Sequence, residues 1–261
     1  MERKRLLTDH NLKDNHNAWD DVSLSGEDLE NAISKIESDN ISVKENTSIV
    51  EIDDKYWNDF YKKYQDTFFR DRKWMKEQYS ELFIDNQKIL EIGCGAGNSL
   101  SLFDFEKNKI MGCDYSENSI NICKQRYPQG TFFVHDITKD DIPKNNFDAI
   151  TLIFTLSAID PLNHKKVINR IKKSLKTNGL LYFRDYGFLD LVQIRSKKII
   201  KNNFYQQPDG TYRYFFKLDE VKELMKDFEI IKIEEQKKLL YNRKKKIEMH
   251  RIQVNGIFRK K

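Results

Sequence analysis

The run Lys88-Ile89-Leu90-Glu91-Ile92 leads straight into Gly93-Cys94-Gly95-Ala96-Gly97-Asn98. A second apolar run over residues 109–113 ends in Asp114, and a third over 131–135 ends in Asp136. Glycines let the backbone turn sharply and approach a ligand closely, and a helix expected over 99–105 would offer unpaired N–H groups. Asp114, 17 residues after Gly97, is placed to accept hydrogen bonds from ribose hydroxyls. Together these residues describe a site for an adenosine-bearing ligand. The competing reading of Asp114 and Asp136 is helix N-capping after a strand.

Three features favour S-adenosylmethionine over a nicotinamide dinucleotide. The glycines are spaced G-x-G-x-G rather than G-x-G-x-x-G, Glu91 precedes the loop, and Asp136 can accept from an adenine amino group. The elements that must hold these residues alternate. Apolar runs at 147–154 and 179–184 read as further strands; 116–127, capped by Ser116, and 162–175 read as helices. This alternation predicts an α/β, Rossmann-like fold, a parallel sheet with helices on both faces. Beyond it lie an Asp209-Gly210 turn between aromatic-rich runs, a helix near 219–228 and β runs at 228–234 and 250–258.

Upstream, Tyr56, Trp57, Phe60, Tyr61 and Tyr64 form one aromatic stripe on a helix from about residue 53, and a second helix is expected over 72–83. Residues 1–52 are polar, with one helical stretch near 25–36, and read as an arm that is flexible or ordered on a partner. The expected organisation is therefore an arm (1–52), a helical extension (53–85) and a main domain (86–261) with a hairpin insertion at about 188–217.

The length of 261 residues suits one domain with extensions. No run approaches the roughly 20 apolar residues of a membrane span, and the start MERKRLLTDHNLKDN lacks the apolar core of a secretory signal. Three cysteines, Cys94, Cys113 and Cys123, are an odd number without metal-ligand spacing, which suits a reducing, cytoplasmic compartment. The five histidines show no ligand spacing either, so no metal is called for. Charge is unevenly placed: residues 1–164 carry a net −10, whereas 165–201 carry +9 and 231–261 carry +8. Two basic blocks suggest a face that meets a polyanion; lysines that merely face solvent are the competing reading.

The region from Glu91 to Asp136 resembles the class I, seven-stranded S-adenosylmethionine-dependent methyltransferases. More narrowly, the chain resembles the tRNA N3-methylcytidine methyltransferases, which modify cytidine 32 of the anticodon loop. The resemblance runs from about residue 17 to the end. It rests on Asn17-Ala18-Trp19-Asp20, Lys55-Tyr56-Trp57-Asn58-Asp59-Phe60-Tyr61 and Phe68-Phe69-Arg70-Asp71-Arg72-Lys73-Trp74. It continues in the glycine loop, Leu152-Ile153-Phe154-Thr155-Leu156-Ser157-Ala158-Ile159, Phe183-Arg184-Asp185-Tyr186-Gly187 and Asn203-Phe204-Tyr205, and ends in Asp209-Gly210-Thr211 and Tyr214-Phe215-Phe216. The N-A-W-D-D arm leans toward the subfamily that modifies threonine tRNAs, with serine and arginine tRNAs as the other acceptors. The resemblance implies that Trp57 and Tyr61 close over the cofactor, that Gly93 and Gly95 belong to its loop, and that Asp114 holds the ribose. It further implies that Asp136 with Ile137 contacts adenine and that Ile153 lies beside the methionine part. From periodicity alone, Trp57 and Tyr61 read rather as helix-on-sheet packing.

Methylation at cytosine N3 needs no general base, because that nitrogen carries a free lone pair; positioning does most of the work. The product is cationic, so a nearby carboxylate helps. Asp185 is the candidate, with Arg184 beside it for a phosphate or the base carbonyl; the competing reading is an Arg–Asp pair that locks the turn before Gly187. Tyr186 or Phe154 can stack on a flipped base. Arg70, Arg72, Lys197, Lys198, Lys201 and Arg243, the first of an Arg243-Lys244-Lys245-Lys246 run, are candidates for RNA contact. Where the family has arginines beside the Asp-Gly turn, this chain has Gln207 and Tyr212, with Arg213, a further candidate for RNA contact, one place later; on a regular strand it faces the other way unless a bulge restores the face. Asp160 stands where the family commonly has histidine or asparagine. The tRNA anticodon stem-loop is the expected partner, together with an aminoacyl-tRNA synthetase or another helper in some family members. Two other readings stay open: a methyltransferase of a protein or small molecule, and a cofactor-binding but non-catalytic RNA scaffold.

Overall fold

The computed structural model describes residues 4–43, 48–143 and 146–261. A 3₁₀ turn leads into a short strand, β1 (Ala18–Asp20), then helices α1 (Gly26–Ser42), α2 (Lys55–Tyr64) and α3 (Met75–Gln78). The main domain follows as β2 (Lys88–Ile92), β3 (Lys109–Asp114), α4 (Glu117–Arg126), β4 (Thr131–Val134), β5 (Phe147–Ile153), α5 (His164–Ser174) and β6 (Leu175–Tyr186). An insertion holds α6 (Leu191–Arg195) and three short strands, β7 (Lys198–Lys201), β8 (Phe204–Gln206) and β9 (Tyr212–Tyr214). Helix α7 (Leu218–Leu224) and a long hairpin, β10 (Phe228–Asn242) with β11 (Ile247–Lys260), complete it.

The main sheet has eight strands in the order β1-β10-β11-β6-β5-β2-β3-β4. The seven expected strands are present, and β1 adds an eighth at the β10 edge. Strands β4, β3, β2, β5 and β6 run parallel, and β11, β10 and β1 continue antiparallel. Strand order reverses at β2, between β3 and β5, so a crevice opens at their carboxyl ends. One face packs α5 and α7 through Val167, Ile171, Val221 and Met225 onto Leu90, Ile150 and Phe183. The other packs α3 and α4 through Met75, Ile120 and Cys123 onto Ile89, Ile110 and Ala149. Covered on both faces, β2 and β5 are almost continuously apolar, which is what makes them visible in sequence.

Several stretches differ from expectation. Residues 99–105 hold only a 3₁₀ turn (Leu100–Leu102): Ser99 turns inward to Glu91, and the Asp104 carboxylate takes the amides of Glu106 and Lys107. The helix expected over 72–83 breaks at Tyr79 (φ −131°, ψ 51°), whose hydroxyl donates to the Phe183 carbonyl. The last two strands outrun their apolar centres because their pairing continues through polar residues to Asn242 and Ile247. The segment expected as a flexible or partner-ordered arm is laid on the domain: β1 pairs with β10, Trp19 and Ile36 are buried, and Asn40 bonds Asn203 of the insertion.

Candidate active site

The glycine loop turns as it does because its residues take conformations that side chains resist. Gly93 (φ 67°) and Gly95 (φ 53°) lie in the left-handed region; a Cβ on Gly93 would come 2.2 Å from Thr155 Oγ1, and one on Gly95 2.2 Å from the Tyr61 hydroxyl. Tyr61 thus covers the loop from α2. That helix is pinned beside the end of β3: Asn58 Oδ1 accepts from Ser116 Oγ at 2.9 Å, its carbonyl accepts from Asn118 Nδ2 at 2.9 Å, and Tyr115 donates to the Asp53 carbonyl. Asp114 accepts from the Gly95 and Ser116 amides, both at 2.9 Å, and burial raises its carboxyl above the usual range. It remains partly exposed at the carboxyl edge of the sheet.

Glu91 lies beneath the loop, buried. One oxygen accepts from Ser99 Oγ at 2.7 Å and faces Arg72 at 3.4 Å; the other has no hydrogen-bond partner among the described residues. Burial raises the Glu91 carboxyl against the opposing pull of Arg72. Arg72, expected at RNA, is thus turned inward, because a buried carboxylate outbids solvent for a guanidinium that is itself largely covered. Arg70 stays exposed. Asp136 accepts from the Thr138 amide and hydroxyl; burial raises its carboxyl, but Thr138 and Lys139 outweigh that and hold it below the usual range. Ile137 and Ile153 are buried in the cores of the two opposite faces. Trp57, half-buried on α2, stacks 6.0 Å from Tyr61. The Cys94 thiol, buried and pushed up by its Cys123 neighbour and by burial, is no nucleophile.

Next to this half lies an aromatic mouth. Phe154 (φ 54°) directly follows β5, and its ring lies 4.9 Å from Tyr186 at the end of β6. Arg213 places its guanidinium 4.4 Å over Tyr186, while Tyr212 faces the other way, stacked on Phe204. The one-place shift noted in sequence therefore brings Arg213 to the mouth. Behind it, Asp185 is fully buried, accepting from the Ser157 and Tyr186 amides at 2.9 Å; burial pushes its carboxyl up to about 6. Arg184 does not share this pocket. Successive strand residues point to opposite faces, and Arg184 donates to Gln253 and Gln78 with its guanidinium 4.0 Å over Trp74. Among the described residues no Arg184–Asp185 pair is formed; the Arg184 guanidinium is instead occupied by Gln253, Gln78 and the Trp74 ring.

Residues 89–179 match the methyltransferase domain family. A tRNA N(3)-methylcytidine methyltransferase of Schizosaccharomyces pombe is 37% identical over 98% of this chain and 91% of its own length. A tRNA(Thr) (cytosine(32)-N(3))-methyltransferase of Saccharomyces cerevisiae is 33% identical over 98% of this chain and 45% of that protein. Solved S-adenosylmethionine-dependent methyltransferases share the fold. That of Methanosarcina mazei has a TM-score of 0.55 at 19% identity, over 69% of this chain and 95% of its own. That of Clostridium acetobutylicum has a TM-score of 0.54 at 15% identity, over 89% and 99%. The chain belongs to the tRNA N3-cytidine methyltransferase family.

Within that family frame, the basic residues fall into three groups. Lys197 and Lys198 are exposed beside a cleft of about 780 Å³ that Tyr56 of α2 and Gly210 of the insertion also line. Lys201, expected to track phosphates, is instead buried and pairs with Asp160 at 2.6 Å; Asp160 also takes the Val50 amide. The unusual acid at 160 is thus matched by a cation from β7. Arg243, bonded to Asn17 at 2.8 Å, opens the β10–β11 turn. Since Gln253 pairs with Tyr186, that turn projects about 20 Å past the carboxyl edge, on the side of the site. Sequence reasoning missed Asn58 and Thr155, whose roles depend on neighbours far along the chain.

Proposed function

We propose that this protein is an S-adenosylmethionine-dependent methyltransferase that forms N3-methylcytidine at position 32 of the anticodon loop, in threonine tRNA. One observation carries the reading: a glycine-loop site flanked by Glu91 and Asp114 shares the carboxyl edge with the Phe154–Tyr186 mouth, which Asp185 and Arg213 flank. The name of the S. cerevisiae relative supports the position and the acceptor. The residues suit the cofactor chemically, because Glu91 keeps one buried oxygen free for an ammonium and Asp114 stands partly open for ribose hydroxyls. When bound, S-adenosylmethionine supplies the methyl group on a sulfonium.

Trp57 and Tyr61 cover that group and exclude water; Gly93 and Gly95 let the backbone approach it, and Asp136 accepts from its adenine amino group. Ile137 and Ile153 back the site from within the two cores. Phe154 or Tyr186 stacks on the extruded cytosine and holds N3 in line. Asp185 removes no proton; its charge, held by two backbone amides, opposes the positive charge that develops on the ring. Arg213, Arg70, Lys197, Lys198 and Arg243 hold the phosphates around the loop. Arg184 fixes the α3 segment through Gln78 rather than touching RNA. An aminoacyl-tRNA synthetase or another helper adds selectivity among tRNAs. The position is tested with a threonine tRNA transcript in which cytidine 32 is replaced by uridine: methylation disappears, and persistence on that transcript overturns the assignment.

A further inference from the structure

Helices α1, α4 and α7 place acids in their first turn, as the positive end of a helix dipole favours. Helix α5, HKKVINRIKKS, has no acid at all and sets Lys165 and Lys166 in its first turn, where the dipole opposes them. Arg170 lies four residues on from Lys166, and Lys172 and Lys173 repeat the pair seven residues on, so like charges crowd one side. Val167, Ile168 and Ile171 take the buried side, and every cation lies on the outer one. With Lys260 these cations line a shallow cleft of about 840 Å³.

The two acids of that cleft do not neutralise it. Asp141 pairs with Arg170 at 3.0 Å and lies 3.7 Å from Lys173, and Lys172 donates to the Asp227 carbonyl. Lys165 and Lys166 have no ion-pair partner among the described residues, and both are exposed. Helix α5 begins after β5, so its first turn lies toward the carboxyl edge on which the mouth opens; its first residue, His164, is buried 5.1 Å edge-on to Tyr214 of β9 and anchors that end of the helix.

We infer that the outer face of α5 is a second RNA-contacting surface, which takes the phosphodiester backbone of a stem of the same tRNA whose loop enters the mouth. The inference rests on the proposed action on tRNA. Charge complementarity selects RNA. Two lysine pairs about 10 Å apart along the helix present one sign of charge in series, as a phosphate strand does, whereas an ordinary solvated helix face mixes signs.

The test uses Lys165→Glu with Lys166→Glu, because acids in the first turn suit the dipole and the fold is kept or improved. Thermal unfolding of the variant starts at or above that of the parent. Full-length tRNA affinity, measured by filter binding across a salt series, falls about tenfold at low salt, and the log–log salt slope shrinks by about two, one for each phosphate no longer neutralised. Lys165→Gln with Lys166→Gln weakens binding by an intermediate factor. Unchanged affinity and slope in the glutamate variant overturn the inference and leave this face to solvent or to an acidic protein. The parent protein separates the two failures. If it neither binds nor methylates tRNA, the underlying reading falls; if it does both and the variant binds equally well, only the α5 surface falls.

Discussion

Asp114 occupies the meeting point of three segments: it accepts from Gly95 in the loop and Ser116 at the start of α4, and it remains partly open to a ligand. Asp114→Ala is expected to weaken S-adenosylhomocysteine binding by about 1.5–3 kcal/mol, or about 10- to 150-fold by calorimetry, the worth of hydrogen bonds to a charged group. Asp185 predicts a pH signature. Burial raises its carboxyl from the ordinary 3.8 to about 6, so between about pH 4 and 6 the native state holds a proton that the unfolded chain has released. Stability from this group is therefore greatest below that window and declines as pH rises through it. Catalysis runs the other way: the anion is the useful form, so kcat rises as pH climbs through about 6, and Asp185→Asn flattens that limb of a single-turnover profile. The strand-end places of Asp114 and Asp136 are legible in sequence because they depend only on where a short apolar run stops. The directions of Arg72 and Arg184 are not, since Glu91, Gln78 and Gln253 reach them only through the fold.

At the scale of elements, the central parallel strands β2 and β5 announce themselves through nearly continuous burial, and Ser116 caps α4 as its position suggests. What sequence pattern does not reveal are elements defined by their partners. Strand β1 exists because β10 offers it an edge, and the outer half of the β10–β11 ribbon because each polar strand pairs with the other. The insertion is fastened in the same long-range manner. Lys201 of β7 and Asp160 after β5 form a buried pair that also holds the Val50 amide, five residues before α2 begins. Removing one partner leaves a buried charge uncompensated. Lys201→Met is thus expected to cost about 3–5 kcal/mol in urea denaturation, and adding Asp160→Asn recovers part of it. An equal destabilisation in both variants would show that the charge pairing carries none of the stability.

Over the whole molecule, the charge blocks visible in sequence gain meaning only from sheet order. The segment 243–246 becomes a basic tip because β10 and β11 overshoot the sheet on the side of the site, while Arg213 arrives there from the insertion. Lys244→Gln with Lys245→Gln at that tip is expected to lower the salt slope of tRNA binding by about two without changing cofactor affinity. A slope equal to the parent's would place the tip outside the complex. The central claim is the reaction itself, and incubating the purified protein with labelled S-adenosylmethionine and threonine tRNA tests it most directly, with the nucleosides resolved by mass spectrometry. The account predicts labelled N3-methylcytidine from the parent protein and none from Asp114→Ala. Label in a different nucleoside, or no product from a protein that binds both cofactor and tRNA, would contradict it.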